Sequence, residues 1–128
     1  MDIVPSDFDK EVLQDERAWL VEFYSPMCGS CQEFTPVWEG LEGSMKSLVL
    51  GKVNIDIPEG AKLAEKLGVL EQGIPNVQLF AGSLRETIMA GDLLSPKQIP
   101  KKIRQHMNAL TRRDDGFYLK QATAYLGA

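Results

Sequence analysis

The alternation of apolar and polar residues divides the chain into short strands and helices. Continuous apolar runs rich in aromatic and β-branched residues predict buried strands, and apolar residues three and four positions apart predict helices. After a short extended start at residues 3–4, the predicted strands cover residues 19–24, 48–55, 77–80 and 85–89. The predicted helices cover residues 6–14, 29 to about 45, 58–68 and a last stretch beginning at residues 94–96. This order predicts parallel β-α-β units, then a hairpin and a closing helix.

Capping and breaking residues support several of these boundaries. Ser6 with Asp9 three residues later predicts a helix start of the capping-box type. Pro36 predicts a kink inside the second helix, and Ser95 before Pro96 predicts the start of the last one. The expected inner residues of the first helix are Phe8, Val12 and Leu13. The expected fold class is therefore α/β, a three-layer sandwich with a central mixed β-sheet flanked by helices.

Composition and length limit the classes of protein to consider. With 128 residues, 44% hydrophobic and 25% charged, the chain is the size of one folded domain. A net charge of −4 gives no basic surface for nucleic acid, and no apolar run is long enough to span a bilayer. The start of the chain lacks the pattern of a signal peptide. We expect a monomer, either whole or excised from a multidomain protein, with a domain over residues 1–110 and a tail, linker or extra helix over residues 111–128.

The two cysteines, Cys28 and Cys31, form a single CxxC motif where the second helix begins. A thiolate at a helix start is stabilised by free backbone N–H groups and by the helix dipole. Cysteines confined to one such motif favour a reactive pair over a structural framework. Structural zinc needs four ligands, and His106 lies far away in sequence, so no metal or cofactor beyond the cysteine pair is expected. A static disulfide and a metal or iron–sulfur site shared between two chains are the alternatives.

Glu22 interrupts the apolar strand that precedes the motif. In a strand covered on both faces this carboxylate is buried, and desolvation raises its pKa. The alternative is a glutamate on an edge strand that faces water.

Residues 21–31, VEFYSPMCGSC, resemble the active-site stretch of the thioredoxin superfamily. The resemblance is to its protein disulfide isomerase branch, whose pattern is close to VEFYAPWCGHC. Further similar segments follow in the family's order: Pro36, the strand at residues 51–56 and the segment GIPNVQLF at residues 73–80. The resemblance covers residues 3–110 and implies a thioredoxin fold.

The resemblance also implies roles for individual residues. Cys28 is implied as the attacking thiolate, Cys31 as the resolving thiol and Glu22 as the acceptor of the Cys31 proton. Lys52 matches the partner of that acid, although a solvated lysine is the alternative. Pro75 matches the family's cis-proline, whereas most X–Pro bonds are trans. The residues implied to contact substrate are Met27, Gly29, Ser30, Gly73, Ile74 and Pro75.

The chain departs from the isomerase pattern at several positions around the motif. Met27 occupies the position of a tryptophan in that pattern, and Ser30 occupies the position of a histidine. The absence of that histidine predicts a less oxidising couple than the isomerase pattern implies. Asp92 stands where that branch tends to carry an arginine. The connection at residues 68–73 is about two residues longer than the family's usual spacing.

These features together predict a thiol–disulfide oxidoreductase that acts on protein substrates with thiols or disulfides. Glutathione or a partner oxidoreductase is a further expected partner. The direction of exchange depends on the potential of the couple relative to its compartment. The isomerase-like strand favours the endoplasmic reticulum lumen, with the cytoplasm as the alternative. A second hypothesis is a redox-weak chaperone module that holds clients in the groove around Ile74 and Pro75.

Overall fold

The computed structural model describes residues 1–82, 84–108, 110, 116 and 117. The strands are β1 (Trp19–Tyr24), β2 (Val49–Asn54), β3 (Asn76–Ala81) and β4 (Leu84–Ala90). The α-helices of the described residues are α1 (Gly29–Ser44), α2 (Pro58–Lys66), α3 (Val69–Gln72) and α4 (Gln98–Met107). None of the helices in these ranges is long and apolar enough to span a membrane.

The four strands form one mixed sheet in the order β2-β1-β3-β4. β1 runs parallel to β2 and antiparallel to β3, and β3 and β4 form the predicted hairpin. Asp2 adds a parallel bridge to Lys52, so the short extended start lies along the outer edge of β2. Each predicted strand is confirmed to within two residues.

Two apolar clusters cover the two faces of the sheet, because successive side chains of a strand point to opposite faces. Leu20 of β1 lies in a cluster with α1 and α4 residues such as Phe34 and Ile103. Trp19, Val21 and Phe23 lie in a second cluster with residues of α2 and of the N-terminal segment. The predicted three-layer arrangement is therefore confirmed.

The N-terminal helix predicted over residues 6–14 is wrong in form. The chain makes a 3-10 turn at Pro5–Asp7 and then a π-helical segment at Asp9–Leu13, and no side chain caps either one. Pro5 starts the turn one residue before Ser6, because its fixed φ suits the first helical position. Phe8 and Val12 are buried as predicted, whereas the prediction for Leu13 is wrong: it is the last residue of the π-helical segment and is 47% exposed, next to the polar exit at Gln14.

Two later boundaries also differ from the prediction. The α4 helix begins at Gln98 and not at Pro96, the predicted first residue. Ser95 and Gln98 nevertheless exchange the two hydrogen bonds of a capping box, each at 3.1 Å. The long connection at residues 68–73 contains the short helix α3, which the pattern did not predict. Most of the predicted tail lies outside the described residues, but the ring of Phe117 lies 5.2 Å from the Arg17 guanidinium carbon.

Candidate functional site

The cysteine motif lies where β1 ends and α1 begins. Cys28 is the N-cap of α1, with extended backbone at φ −87 and ψ 120, and its sulfur accepts the Cys31 N–H at 3.2 Å. Cys28 is half-buried and Cys31, one turn into the helix, is 3% exposed. Both thiols are free. The helix start therefore presents one sulfur toward solvent and keeps the other beneath it.

The surroundings shift the two thiol pKa values in opposite directions. Partial burial opposes ionisation of Cys28, but hydrogen bonds from Cys31, from Ser30 and from backbone N–H groups outweigh it and lower the Cys28 pKa. Burial and the hydrogen bond to Cys28 raise the pKa of Cys31 to about 12. Because the thiolate is the attacking form, the lowered pKa favours Cys28 over Cys31 as the more reactive thiol.

The Ser30 hydroxyl lies 3.3 Å from the Cys28 sulfur. We expect Ser30→Ala to raise the pKa of Cys28, because the thiolate loses a hydrogen-bond donor. The pH dependence of iodoacetamide alkylation measures this pKa. Ser44→Ala, a hydroxyl deletion at the other end of α1, serves as the control and should leave the profile unchanged. An unchanged profile in Ser30→Ala as well would show that the hydroxyl does not stabilise the thiolate.

Two polar residues that the sequence analysis missed hold the loop before Cys28. The Ser25 hydroxyl, 5% exposed, donates to Asp56 Oδ2 at 2.8 Å and accepts the Met27 N–H at 3.1 Å. The Ser25 carbonyl accepts the Cys28 N–H at 3.1 Å, and the Asp56 N–H donates to Asn54 Oδ1 at 2.8 Å. The Asn-x-Asp spacing at residues 54–56 is typical of an Asx turn, and this pattern is the feature of the sequence that could have indicated an ordered turn at Asp56.

Glu22 lies in β1 on the face that α1 covers and is 4% exposed, so the prediction of a buried carboxylate is confirmed. The pKa of Glu22 is raised to about 7, mainly by burial. The charge of Lys52 opposes this rise, and the charge of Glu42 adds to it. The Glu22 charge also raises the pKa of Cys31, so the two groups interact. A carboxylate with this pKa can exchange a proton near neutral pH.

Lys52 is paired with Glu22 in the parallel register of β1 and β2. The salt bridges found among the described residues do not include a Glu22–Lys52 pair. The Lys52 ammonium instead lies 5.3 Å from the centre of the Tyr24 ring. Lys52 therefore acts on Glu22 through its charge and not through a direct ion pair.

The Ile74–Pro75 peptide bond is cis, as the resemblance implied. Phe23 of β1 is opposite Asn76 of β3, so the turn at residues 73–75 lies at the end of β1 from which the cysteine loop departs. The Pro75 carbonyl accepts the Gly91 N–H at 3.0 Å, which places Asp92 next to this turn. Within the described ranges, no hydrogen-bond partner is found for the Ile74 N–H.

Other residues implied to contact substrate flank Cys28. Met27 is 85% exposed, which leaves an apolar side chain in solvent directly before Cys28. A side-chain carbon added at Gly29 would meet no atom within 4 Å, so the surface after Cys28 is open. No group of three or more His, Cys, Asp or Glu residues placed to bind a metal ion is found in the described part of the chain.

Comparison with known proteins relates the chain to one family. A family model described as thioredoxin matches residues 1–105. Protein disulfide-isomerase A6 of Mus musculus is 39% identical over 84 residues, which make up 65% of this chain and 18% of that protein. Protein disulfide-isomerase erp38 of Neurospora crassa is 34% identical over 92 residues, 69% of this chain and 24% of that protein. The chain thus spans about a fifth of the length of these relatives.

Solved structures are also similar to this chain. The crystal structure of the Trx4 domain of ERdj5 matches with a TM-score of 0.70 and 30% identity, covering 86% of this chain and 96% of that domain. Full-length ERdj5 matches with a TM-score of 0.66 and 30% identity, covering 81% of this chain and 15% of that protein. The described fold therefore corresponds to one domain of a longer protein in that case.

Proposed function

This chain belongs to the thioredoxin family and has the thioredoxin fold, and we propose that it is a thiol–disulfide oxidoreductase acting on protein substrates through Cys28 and Cys31. The observation that carries the proposal is the contrast between the two thiols. The partly exposed Cys28 has a lowered pKa at the start of α1, and the buried Cys31 beside it has a pKa of about 12. A static disulfide does not require this contrast.

In the reducing direction the Cys28 thiolate attacks a substrate disulfide, forms a mixed disulfide and releases one substrate sulfur as a thiolate. Cys31 then gives up its proton and attacks the Cys28 sulfur. The Cys28–Cys31 bond closes, the second substrate sulfur leaves as a thiol, and the protein is oxidised by two electrons. The reverse steps oxidise a substrate dithiol.

Glu22 is the proposed acceptor of the Cys31 proton. Its pKa of about 7 means that it can take up and release a proton near neutral pH. Lys52 has a tuning role in this proposal, because its charge favours the ionised carboxylate. The side chain of Glu22 is carried by a central strand, so its position does not depend on a loop.

The turn at residues 73–75 and the residues flanking Cys28 are the proposed substrate surface. The unpartnered Ile74 N–H suits an extended substrate backbone, and Met27 provides adaptable apolar contact. The names of the relatives support protein substrates. The endoplasmic reticulum lumen is the proposed compartment, because residues 21–31 resemble the isomerase branch. Residues 1–110 are the proposed domain, and Leu110 is 9% exposed at its end.

The proposal is tested by reduction of insulin, a protein with accessible disulfides, in the presence of dithiothreitol. We expect catalysed precipitation of the insulin B chain above the rate with dithiothreitol alone. Equilibration with reduced and oxidised glutathione then gives the potential of the Cys28–Cys31 couple, which sets the favoured direction. If the folded chain does not accelerate insulin reduction and its cysteines do not form a disulfide in glutathione, the proposal is wrong.

A further inference from the structure

A group of hydrogen-bonded polar side chains, here called the amide network, lies beneath the turn at residues 73–75. Its members are Gln72, Asn76, Gln78, Arg85 and Thr87. Asn76 is 0% exposed and Gln78 1% exposed, on the β3 face that also carries Phe80 of the second apolar cluster. Burial of two amides in such a layer is unfavourable unless their hydrogen bonds are made.

The acceptor at the centre of the amide network is Gln72 Oε1. It lies 3.1 Å from Asn76 Nδ2, 3.1 Å from Gln78 Nε2 and 3.4 Å from the Thr87 hydroxyl. Gln72 is the last residue of α3 and directly precedes the turn. One exposed side chain thus links the start of the turn to both strands of the β3–β4 hairpin.

The amide network also fixes the direction of a backbone group in the turn. Asn76 Nδ2 donates to the Gly73 carbonyl at 3.1 Å. The Gly73–Ile74 peptide is trans, so its carbonyl and its N–H point in opposite directions. Because the carbonyl is directed toward the Asn76 side chain, the Ile74 N–H is directed away from that side chain.

Arg85 closes the outer side of the amide network. Its Nε donates to Gln78 Oε1 at 3.2 Å, and its terminal nitrogen donates to the carbonyl of Leu67, where α2 ends. Its guanidinium carbon lies 5.6 Å from the centre of the Phe80 ring. The segment between α2 and β3 is therefore held at both ends, by Arg85 at Leu67 and by the amides at Gln72 and Gly73.

We propose that Gln72 is a positioning residue: together with Asn76 and Gln78 it holds the Ile74 N–H in the direction from which the extended backbone of a protein substrate can accept it. Gln72 thereby sets the KM for protein substrates. This inference rests on the proposed function. The amide network does not contact either cysteine in the hydrogen bonds described, so the reactivity of Cys28 toward small molecules is outside its influence. The two properties can therefore be measured separately.

The experiment compares Gln72→Met, which keeps the shape but removes the acceptor, with Gln72→Glu, which keeps an acceptor. For Gln72→Met we expect the KM for insulin to rise about 10-fold at nearly unchanged kcat, the effect of losing about one net hydrogen bond. The rate with oxidised glutathione and the alkylation profile of Cys28 should not change. Gln72→Glu should restore the wild-type KM. Gln98→Ala, which removes a glutamine hydrogen bond outside the amide network, to the Ser95 N–H, should match wild type throughout.

Relaxation of the backbone 15N nuclei of Gly73 and Ile74 gives a readout that does not depend on turnover. We expect both amides to be rigid in the wild type and in Gln72→Glu, and more mobile on the ps–ns timescale in Gln72→Met. If Gln72→Met does not fold, Thr87→Val, which removes one hydroxyl without changing shape, is measured in its place.

The outcomes separate this inference from the proposed function. An unchanged insulin KM with unchanged amide relaxation in Gln72→Met overturns the inference and leaves the oxidoreductase assignment intact. Equal losses with insulin and with glutathione also overturn it, because they indicate a general structural role. Failure of the wild type on insulin contradicts the proposed function, and the relaxation of Gly73 and Ile74 still decides whether Gln72 positions the turn.

Discussion

Cys28→Ser is expected to lower the rate of insulin reduction by at least about 10³-fold, because a serine hydroxyl is not ionised near neutral pH and cannot attack a disulfide. The same substitution should remove the low-pH alkylation of the protein by iodoacetamide, since the remaining Cys31 is 3% exposed and its burial raises its pKa. Turnover of insulin under dithiothreitol measures the first effect, and mass spectrometry of the alkylated protein measures the second.

Cys31→Ser is the matched variant for this prediction. It keeps the attacking thiolate but lacks the resolving thiol, so a mixed disulfide with substrate should accumulate and be visible as a covalent adduct. If Cys28→Ser folds and keeps full turnover, Cys28 is not the nucleophile. If both variants keep wild-type activity toward unfolded clients, the function is client binding and not thiol exchange.

Glu22→Gln is expected to slow release of the mixed disulfide by about 10²-fold at pH 7, because the proposed proton acceptor for Cys31 is lost. In the wild type this step should accelerate as the pH rises through about 7, where Glu22 ionises. In the variant that part of the pH dependence should disappear. Stopped-flow measurement of the second step, started from a preformed mixed disulfide between Cys28 and a peptide, isolates it from the initial attack.

The same substitution is expected to have the opposite effect on stability. The folded protein holds the Glu22 proton up to pH about 7, whereas the unfolded chain releases it near the ordinary pKa of 4.5. The free energy of unfolding of the wild type should therefore fall between about pH 4.5 and 7, by roughly 3 kcal/mol in total. Glu22→Gln should match the wild type at pH 4 and be the more stable protein at pH 8.

Urea denaturation at several pH values measures this difference. Glu39→Gln, a substitution of an exposed carboxylate on α1, is the control and should follow the wild-type curve. A Glu22→Gln variant that is no more stable than wild type at pH 8 would show that the buried carboxylate is not held in its neutral form. A faster release step in the variant would exclude Glu22 as the proton acceptor.

The central part of the fold was predictable because its pattern is local. The apolar run of β1 and the spacing of Phe34, Trp38 and Leu41 in α1 each identify an element without reference to the rest of the chain. The N-terminal segment was not predictable from its local pattern. The Ser6–Asp9 spacing favours an α-helix, whereas Pro5 and the packing of Phe8 and Val12 select 3-10 and π turns. The short helix α3 contains too few residues to show a period.

Some features of the candidate site are likewise local in the sequence, whereas others depend on contacts between distant residues. The positions of Cys28 and Cys31 at a helix start and of the Glu22 carboxylate in an apolar strand could be predicted from the sequence, because each depends on neighbours a few residues away. The groups that surround these residues depend on the tertiary structure. The bond from Ser25 to Asp56 joins residues 31 positions apart, and Gln72 reaches Thr87 across the hairpin. Such partners become neighbours only when the chain folds, because the packing of the layers and not the local period sets their distance.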